Sequence, residues 1–410
     1  MKPGRTAHPE QSMTSSAVRS TSPTAAIRPS STRMSPVTKR RFSSWVTIRP
    51  PRSTKDMGGP PMGRFRRKGF RGYCQRESSK WKSIVDTSRY AIVDIDFGRA
   101  LQECIDQVGR GRVATCGAIA RALGDIRAAR SVAVWVAAHP ERPGSHRVVR
   151  ADGRPVLTSA SSELGREGTR LFRGRVSADR ILDSLEPVGF LTSLREEQQM
   201  LSTRVVERGD DQQLECIAGV DASYDGDAMY VVATNLDAEK LIPVEISAVT
   251  TKAEFPYIPT FLAYREFPGI EAAVRRLNRR PDILLIDGHG RLHPALFGVA
   301  CHVGVRLDLP TIGIAKHPLV GRAERSGPMP SGASPIEFGG QVRGYAWTPP
   351  GRERPIFVSI GHRISLERAL EMVRASTLRG YPEPLKLADR IGREMKRNKR
   401  NEKREKGATR

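Results

Sequence analysis

The sequence predicts an α/β fold, a mixed sheet with flanking helices, preceded by a small winged helix-turn-helix domain. Three observations predict it. Runs rich in branched residues at 214–221, 229–235 and 241–250 are separated by short turns, the pattern of hairpin strands. Further on, strand-like runs at 283–287 and 311–315 alternate with helical segments. Closer to the N-terminus, residues 118–138 read as helix, tight turn, helix.

Residues 1–90 are expected to form no element. They are rich in Ser, Pro, Arg and Thr and carry almost no periodic apolar pattern. Such a segment buries too little surface to offset its ordering entropy. Three readings stay open: a disordered basic extension, an Arg- and Ser-rich organelle transit peptide, or a stretch upstream of a later start at Met57 or Met62. The first domain occupies 91–157. Phe97, Ala100, Leu101, Ile105 and Val108 have helical spacing, and 111–115 is extended. Residues 118–123 form a helix stopped by Gly124, and 127–138 form a second helix, the one that enters a DNA groove in this outline. Residues 158–190 show only Ala178, Ile181, Leu182 and Leu185 at helical spacing and are expected to be a linker.

The second domain spans 191–390. A helix at 194–206 precedes the three hairpin strands. Then come a helix around 261–277, a strand at 283–287, a helix at 294–305 and a strand at 311–315. A final strand pair, 341–348 and 355–360, leads into a helix at 366–374. Residues 391–410 are expected to be a disordered basic tail.

The net charge of +24 belongs to the ends. Residues 1–80 hold 18 Lys/Arg against 3 Asp/Glu, and residues 391–410 hold 9 against 3, so the middle is nearly balanced. Basic ends suit phosphate binding through counterion release. The five cysteines, Cys74, Cys104, Cys116, Cys216 and Cys301, form no CxxC pair, which argues against a structural zinc site and fits a reducing compartment. No apolar run approaches the ~20 residues that span a bilayer, and no signal-peptide core is present. The expectation is a cytoplasmic monomer with no membrane partner.

Three acids stand out against this frame. Asp221 closes the run 214–221, Asp287 closes 283–287, and Glu266 lies between them in Phe261-Leu262-Ala263-Tyr264-Arg265-Glu266. A carboxylate leaving a buried strand is poorly placed for packing. It is well placed to hold a hard divalent cation, and three on one sheet edge suit metal-assisted phosphodiester chemistry. Taken singly, each is also an ordinary turn or capping acid.

The surrounding motifs resemble endonuclease V, the deoxyinosine 3′-endonuclease family. They are Gly219-Val220-Asp221, Phe255-Pro256-Tyr257-Ile258-Pro259, Tyr264-Arg265-Glu266, Asp287-Gly288-His289-Gly290, Leu292-His293-Pro294, Leu309 to Lys316, Gly361-His362-Arg363 and Pro382-Glu383-Pro384, in that order from about 194 to 389. The resemblance implies a ribonuclease-H-like fold and a metal site at Asp221, Glu266 and Asp287, with Mg²⁺ as the ion and Mn²⁺ as a substitute. It implies cutting at the second phosphodiester bond 3′ to the lesion, leaving a 3′-hydroxyl. It assigns His362 to the active site; because His362 follows the strand 355–360, it is expected at the same sheet end as the acids. Lys316, just past 311–315, would neutralise the scissile phosphate. His289 and His293 are expected to support this site from behind. Tyr257, stiffened by Pro256 and Pro259 and followed by Ile258, matches the family's wedge, a ring that fills the gap left by a flipped base. Gly288 and Gly313 are expected to leave room for the expelled base, with Leu262 lining that pocket.

Gly111-Arg112-Val113-Ala114-Thr115-Cys116-Gly117 and His146 to Gly153 resemble the DNA-binding domain of O6-alkylguanine-DNA alkyltransferases. That family carries Pro-Cys-His-Arg; here the stretch is Gly144-Ser145-His146-Arg147. Ser145 replaces the nucleophile, and a hydroxyl is far weaker than a thiolate without an activating base. The resemblance is therefore to alkyltransferase-like proteins, which bind alkylated bases without removing the alkyl group. Arg130 matches the arginine that fills the gap of a flipped nucleotide. Cys116 and His139 depart from the family's Tyr and Asn, and the loop 140–145 looks shortened. The expected partner is damaged DNA containing inosine, with O6-alkylguanine DNA at the first domain. Inosine-containing RNA is an alternative substrate, and non-catalytic nucleic-acid binding is an alternative function.

Overall fold

A nine-stranded sheet and a smaller three-stranded one organise the chain. The computed structural model describes residues 95–209, 213–323 and 332–408, so the expectation for 1–90 lies outside the described residues. In the first domain α1 (Phe97–Asp106) starts at Asp96, whose side chain accepts from the Arg99 amide. After β1 (Val113–Thr115), α2 (Cys116–Leu123) is capped by the Thr115 hydroxyl, which accepts from the Ala118 amide at 3.0 Å. Gly124 ends α2 with φ of 107°, where a Cβ would also sit 2.4 Å from the Thr192 hydroxyl. Then come α3 (Ala129–Ala138), β2 (Val148–Val149), α4 (Ala160–Arg166), the hairpin β3 (Leu171–Phe172) and β4 (Arg175–Val176), and β5 (Ile181–Leu182).

The stretch 158–190 is not a linker. Strand β5 pairs in parallel with β1, placing Ile181 opposite Val113. Leu164 and Val176 are buried in the first domain's core, and the Thr169 hydroxyl donates to the Gly111 carbonyl at 2.8 Å. These strands have two residues each, too short for their alternation to register in the sequence.

Helix α5 (Phe190–Ser202) belongs to both domains: Leu191 and Leu194 join the first core, and Leu201 packs with Phe297 and Cys301. The meander β6 (Cys216–Asp225), β7 (Ala228–Asp237) and β8 (Pro243–Lys252) follows, then α6 (Leu262–Arg275), β9 (Ile283–Asp287), α7 (Val299–Leu307) and β10 (Thr311–Ala315). Strands β11 (Arg322–Ala323), β12 (Ala333–Phe338), β13 (Gln341–Trp347) and β14 (Ile356–His362) extend the sheet, and α8 (Leu366–Ala375) and α9 (Glu383–Ala408) complete the chain. The sheet order is β11-β12-β13-β14-β10-β9-β6-β7-β8, with β6, β9 and β10 parallel to one another. This is the mixed α/β fold that the sequence predicts. The helix expected over 294–305 begins only at Val299; Pro294 to Gly298 take an irregular path.

Both faces of the central strands are buried, so their runs read as nearly continuous hydrophobics. Val220, Leu284 and Ile286 face α6 and α7, while Ile217, Ile283, Leu285 and Ile312 face α8 and α9. Helix α9 approaches the sheet so closely that a Cβ on Gly219 would lie 2.6 Å from the Pro384 carbonyl carbon. Far from being a disordered tail, the basic C-terminal stretch is helical to Ala408. Its Lys, Arg and Glu are good helix formers with Asp389–Arg393 and Lys399–Glu402 pairs at helical spacing, and Arg400 reaches Asp225 at 2.7 Å.

Candidate active site

The parallel register builds the site. Val220 pairs with Ile286 and Ile314 with Asp287, so Asp221, Asp287 and Lys316 arrive at one end of three adjacent strands. Asp221 does not close its strand, however. Strand β6 runs on to Asp225 against β7 alone, and Asp221 sits where its pairing with β9 stops. By alternation Asp221, Asp287 and Lys316 share the sheet face of Ile217, Leu285 and Ile314, the face covered by α8 and α9. Glu266 rises from α6 on the other face and meets them around the sheet end.

Two of the acids, Glu266 and Asp287, are already engaged. The Tyr224 hydroxyl donates to Glu266 Oε1 at 2.8 Å. Asp287 Oδ2 pairs with the Lys316 ammonium at 2.5 Å, and its Oδ1 accepts from the Tyr381 hydroxyl at 3.1 Å. Lys316 also lies 5.0 Å from the Tyr381 ring centre. Burial, then the charges of Asp287 and Asp389, pushes Asp221 up to about 7. Burial also pushes Glu266 up to about 8, with Asp221 and Asp287 adding to the rise and the Tyr224 hydrogen bond opposing it. Among the described residues, no three carboxylate, imidazole or thiol groups stand at chelating spacing as placed. The donor set nevertheless fits a hard divalent cation: the oxygens are carboxylate, and their mutual repulsion is what an ion would relieve.

Two residues at this site escape a reading of the sequence. Asp389 in α9 acts on Asp221 from the helix that covers its face of the sheet, with Arg393 Nε donating to it at 2.8 Å. The signal was present, since Asp389 lies four residues after buried Leu385 and beside buried Ala388, an acid bordering an apolar stripe. Tyr381, nearly buried, bridges Asp287 and the Ile314 carbonyl.

His362 is not at this site. Strand β14 runs antiparallel to β10, and His362 stands opposite Thr311, the end of β10 remote from Lys316. There its Nδ1 accepts from the Val206 amide at 3.2 Å, and its Nε2 lies 3.8 Å from Asp308. Of the other histidines, His289 borders Asp287 and is pushed down to about 4, chiefly by burial, so it is neutral. His293 Nε2 lies 3.1 Å from the Thr260 carbonyl, supporting the loop that carries Tyr257.

That loop presents one ring. Tyr257 is 62% exposed between buried Phe255 and Ile258, with Pro256 and Leu262 partly exposed beside it. Gly288 and Gly313 do not open a pocket. A Cβ on Gly313 would sit 2.4 Å from the Gly290 amide nitrogen, and one on Gly288 would sit 2.4 Å from Val299 Cγ1. Their missing side chains admit neighbouring protein atoms.

In the first domain a groove of about 800 Å³ runs between α2 and α3, lined by Cys116, Arg121, Arg130, Val134 and Arg150. Arg130 is exposed at its wall. Ser145 does not line it: the residue is fully buried, and its hydroxyl donates to the His139 carbonyl at 3.2 Å. Burial pushes the Cys116 thiol up to about 11, so the groove offers no ready thiolate.

Known proteins match both halves. The family described as Endonuclease V matches residues 199–390. The family described as 6-O-methylguanine DNA methyltransferase, DNA binding domain, matches residues 96–171. An endonuclease V of Thermofilum pendens is 46% identical over 173 residues, covering 42% of this chain and 73% of that one. One from Geotalea uraniireducens is 40% identical over 209 residues, covering 50% and 89%. Among solved structures, the endonuclease V of Streptomyces avermitilis is 35% identical with a TM-score of 0.48, covering 50% of this chain and 93% of that one. Fold, acids and matches together define a nuclease, a hydrolase of phosphodiester bonds, joined to an alkyltransferase-type DNA-binding domain. The chain belongs to the endonuclease V family.

Proposed function

We propose that the protein nicks DNA at the second phosphodiester bond 3′ to a deoxyinosine, using Mg²⁺, while its first domain binds alkylated bases without removing the alkyl group. The observation that carries the catalytic reading is the convergence of Asp221, Glu266 and Asp287 at one sheet end, where burial first and then their mutual repulsion hold Asp221 and Glu266 well above the usual carboxylate range. Asp221, Asp287 and Glu266 would hold the ion, with Asp389 adding negative charge beside Asp221. Bound Mg²⁺ supplies polarisation of the scissile phosphate and a more acidic attacking water. Lys316, released from Asp287 when the ion binds, would offset charge on the scissile phosphate. Tyr257 would enter the stack in place of the expelled base, a contact worth ~1–3 kcal/mol.

The binding-only reading of the first domain is supported by buried Ser145 and by the protonated Cys116 thiol. Arg130, exposed on the groove, would stand in for a displaced nucleotide. The test is cleavage of a duplex carrying one deoxyinosine with Mg²⁺, comparing the parent with Asp221→Ala. A metal-dependent nick at the second 3′ bond, lost in the variant, is expected. Cutting of inosine RNA alone would move the substrate to RNA, and no cutting of either would leave nucleic-acid binding. Transfer of a methyl group from O6-methylguanine DNA to the protein would overturn the reading of the first domain.

A further inference from the structure

The loop that carries Tyr257 is tied at both ends to the first domain. Ser131, in the first turn of α3 and next to Arg130, is 5% exposed, and its hydroxyl donates to the Tyr257 carbonyl at 2.6 Å. At the far end Thr260 has φ of 72°, a left-handed backbone that costs a β-branched residue energy and persists only where its surroundings impose it. Here they do. Arg195 Nη2 donates to the Thr260 hydroxyl at 2.5 Å, and Gln198 Nε2 donates to the Thr260 carbonyl at 2.9 Å. Arg195 in turn lies 3.7 Å from Asp125, in the turn between α2 and α3, and its guanidinium covers the Phe261 ring at 4.3 Å.

Beside these ties, Phe255 and Ile258 share one buried core with Leu101, Leu123 and Val132 of the first domain. Phe255 meets Phe97 of α1 edge-on at 6.4 Å and stacks with Phe190 of α5 at 6.3 Å. Of residues 255–260, Tyr257 alone is exposed. A loop held this way is ordered before DNA arrives, so binding does not have to pay for its ordering.

We infer that the helix-turn-helix domain positions the wedge of the nuclease, with Ser131 acting on Tyr257 directly and Asp125 acting on Thr260 through Arg195. The inference rests on the reading of Tyr257 as the wedge. It gives the fusion a physical role, because the DNA-binding domain also sets the ring that would test the duplex. Ser131 and Asp125 are positioning residues: they touch no reacting atom and act on recognition through the loop.

The test uses the full chain and a duplex with one deoxyinosine beside 2-aminopurine, whose fluorescence reports unstacking. Ser131→Ala is expected to raise KM about ten-fold and lower the 2-aminopurine signal with kcat unchanged, the size of one lost hydrogen bond. Ser131→Thr is expected to restore both. Asp125→Asn, which keeps a side-chain oxygen for its capping role while removing the charge that faces Arg195, is expected to raise KM about three-fold, as for a weaker, indirect tie. Added to Tyr257→Ala, Ser131→Ala is expected to cost nothing further, since the two act as one unit. An unchanged KM in Ser131→Ala and Asp125→Asn, where Tyr257→Ala raises it, would overturn the positioning role and leave the wedge standing. No effect of Tyr257→Ala would overturn both.

Discussion

The hydroxyl of Tyr224 donates to Glu266 Oε1 across 2.8 Å, joining β6 to α6 at the edge of the carboxylate site. Arg265, whose guanidinium lies 4.6 Å over the Tyr224 ring, donates to the Phe255 carbonyl at 2.6 Å. One contact network thus runs from Glu266 to the base of the loop that carries Tyr257. Tyr224→Phe removes the one hydrogen bond that opposes protonation of Glu266. The Mg²⁺ concentration giving half-maximal nicking should rise about ten-fold, the effect of one bond to a charged group. A Mg²⁺ titration at fixed DNA concentration measures this, and an unchanged midpoint would remove Tyr224 from the site's chemistry.

Protons and the cation proposed for this site would compete for the same oxygens. Burial and mutual repulsion raise Asp221 to about 7 and Glu266 to about 8. Mg²⁺ affinity should therefore fall as pH drops through this window, because those protons must leave before the ion binds. Calorimetric titrations at pH 6 and pH 9 would check it, and pH-independent binding would contradict it.

The same shifts set a sign for stability. The folded metal-free protein holds these protons more tightly than the unfolded chain, so their contribution to stability falls as pH rises from the ordinary carboxylate range to about 7 and 8. Above that window both acids are charged, buried and mutually repelling. Asp221→Asn should raise the melting temperature of metal-free protein at pH 9, by ~1–3 kcal/mol of stability, while abolishing cutting. At pH 4 the gain should vanish. A variant that melts lower than the parent at pH 9 would refute the sign.

His362 and Lys316 should separate cleanly. His362→Ala breaks the bond to the Val206 amide and opens packing beneath α7, so it should cost ~1–3 kcal/mol in denaturant unfolding with kcat unchanged. Lys316→Ala should leave stability nearly intact and lower kcat by about 10²–10³, as expected for a lost charge at the phosphate. A large loss of kcat in folded His362→Ala would return that residue to the site.

Gly313→Ala should destabilise by ~2 kcal/mol or more, since the nearest atoms are backbone of the 288–290 loop and cannot swing aside. Gly109→Ala, where a Cβ would meet nothing within 4 Å, is the control and should be near neutral. Unfolding curves of the two variants make the comparison. Equal midpoints would mean that the loop yields, leaving room for a base after all.

Much of this was legible in the chain. The short apolar runs 283–287 and 311–315, alternating with helical segments, marked buried strands of an α/β sheet, and Asp287 and Lys316 each stand at the exit of one. That the two strands are parallel neighbours, which gathers these exits at one end, came from the structure. Two prolines around Tyr257 marked a stiff loop with an outward ring. Glu266 needed the family's pattern, because nothing in a helix's own spacing says which sheet edge it overlooks.

What the sequence by itself determined is the set of elements and the acids they carry, because periodicity, glycine stops and turn residues act over a few neighbours. The tertiary structure alone decided direction and distance. A period of two is the same whichever way a strand runs, so the antiparallel course of β14, which carries His362 away from the acids, had no local signature. The return of α9, which brings Asp389 to Asp221 from 168 residues along the chain, is set by the apolar faces that must be covered. The bond from Ser131 to Tyr257 exists because two domains bury one core between them.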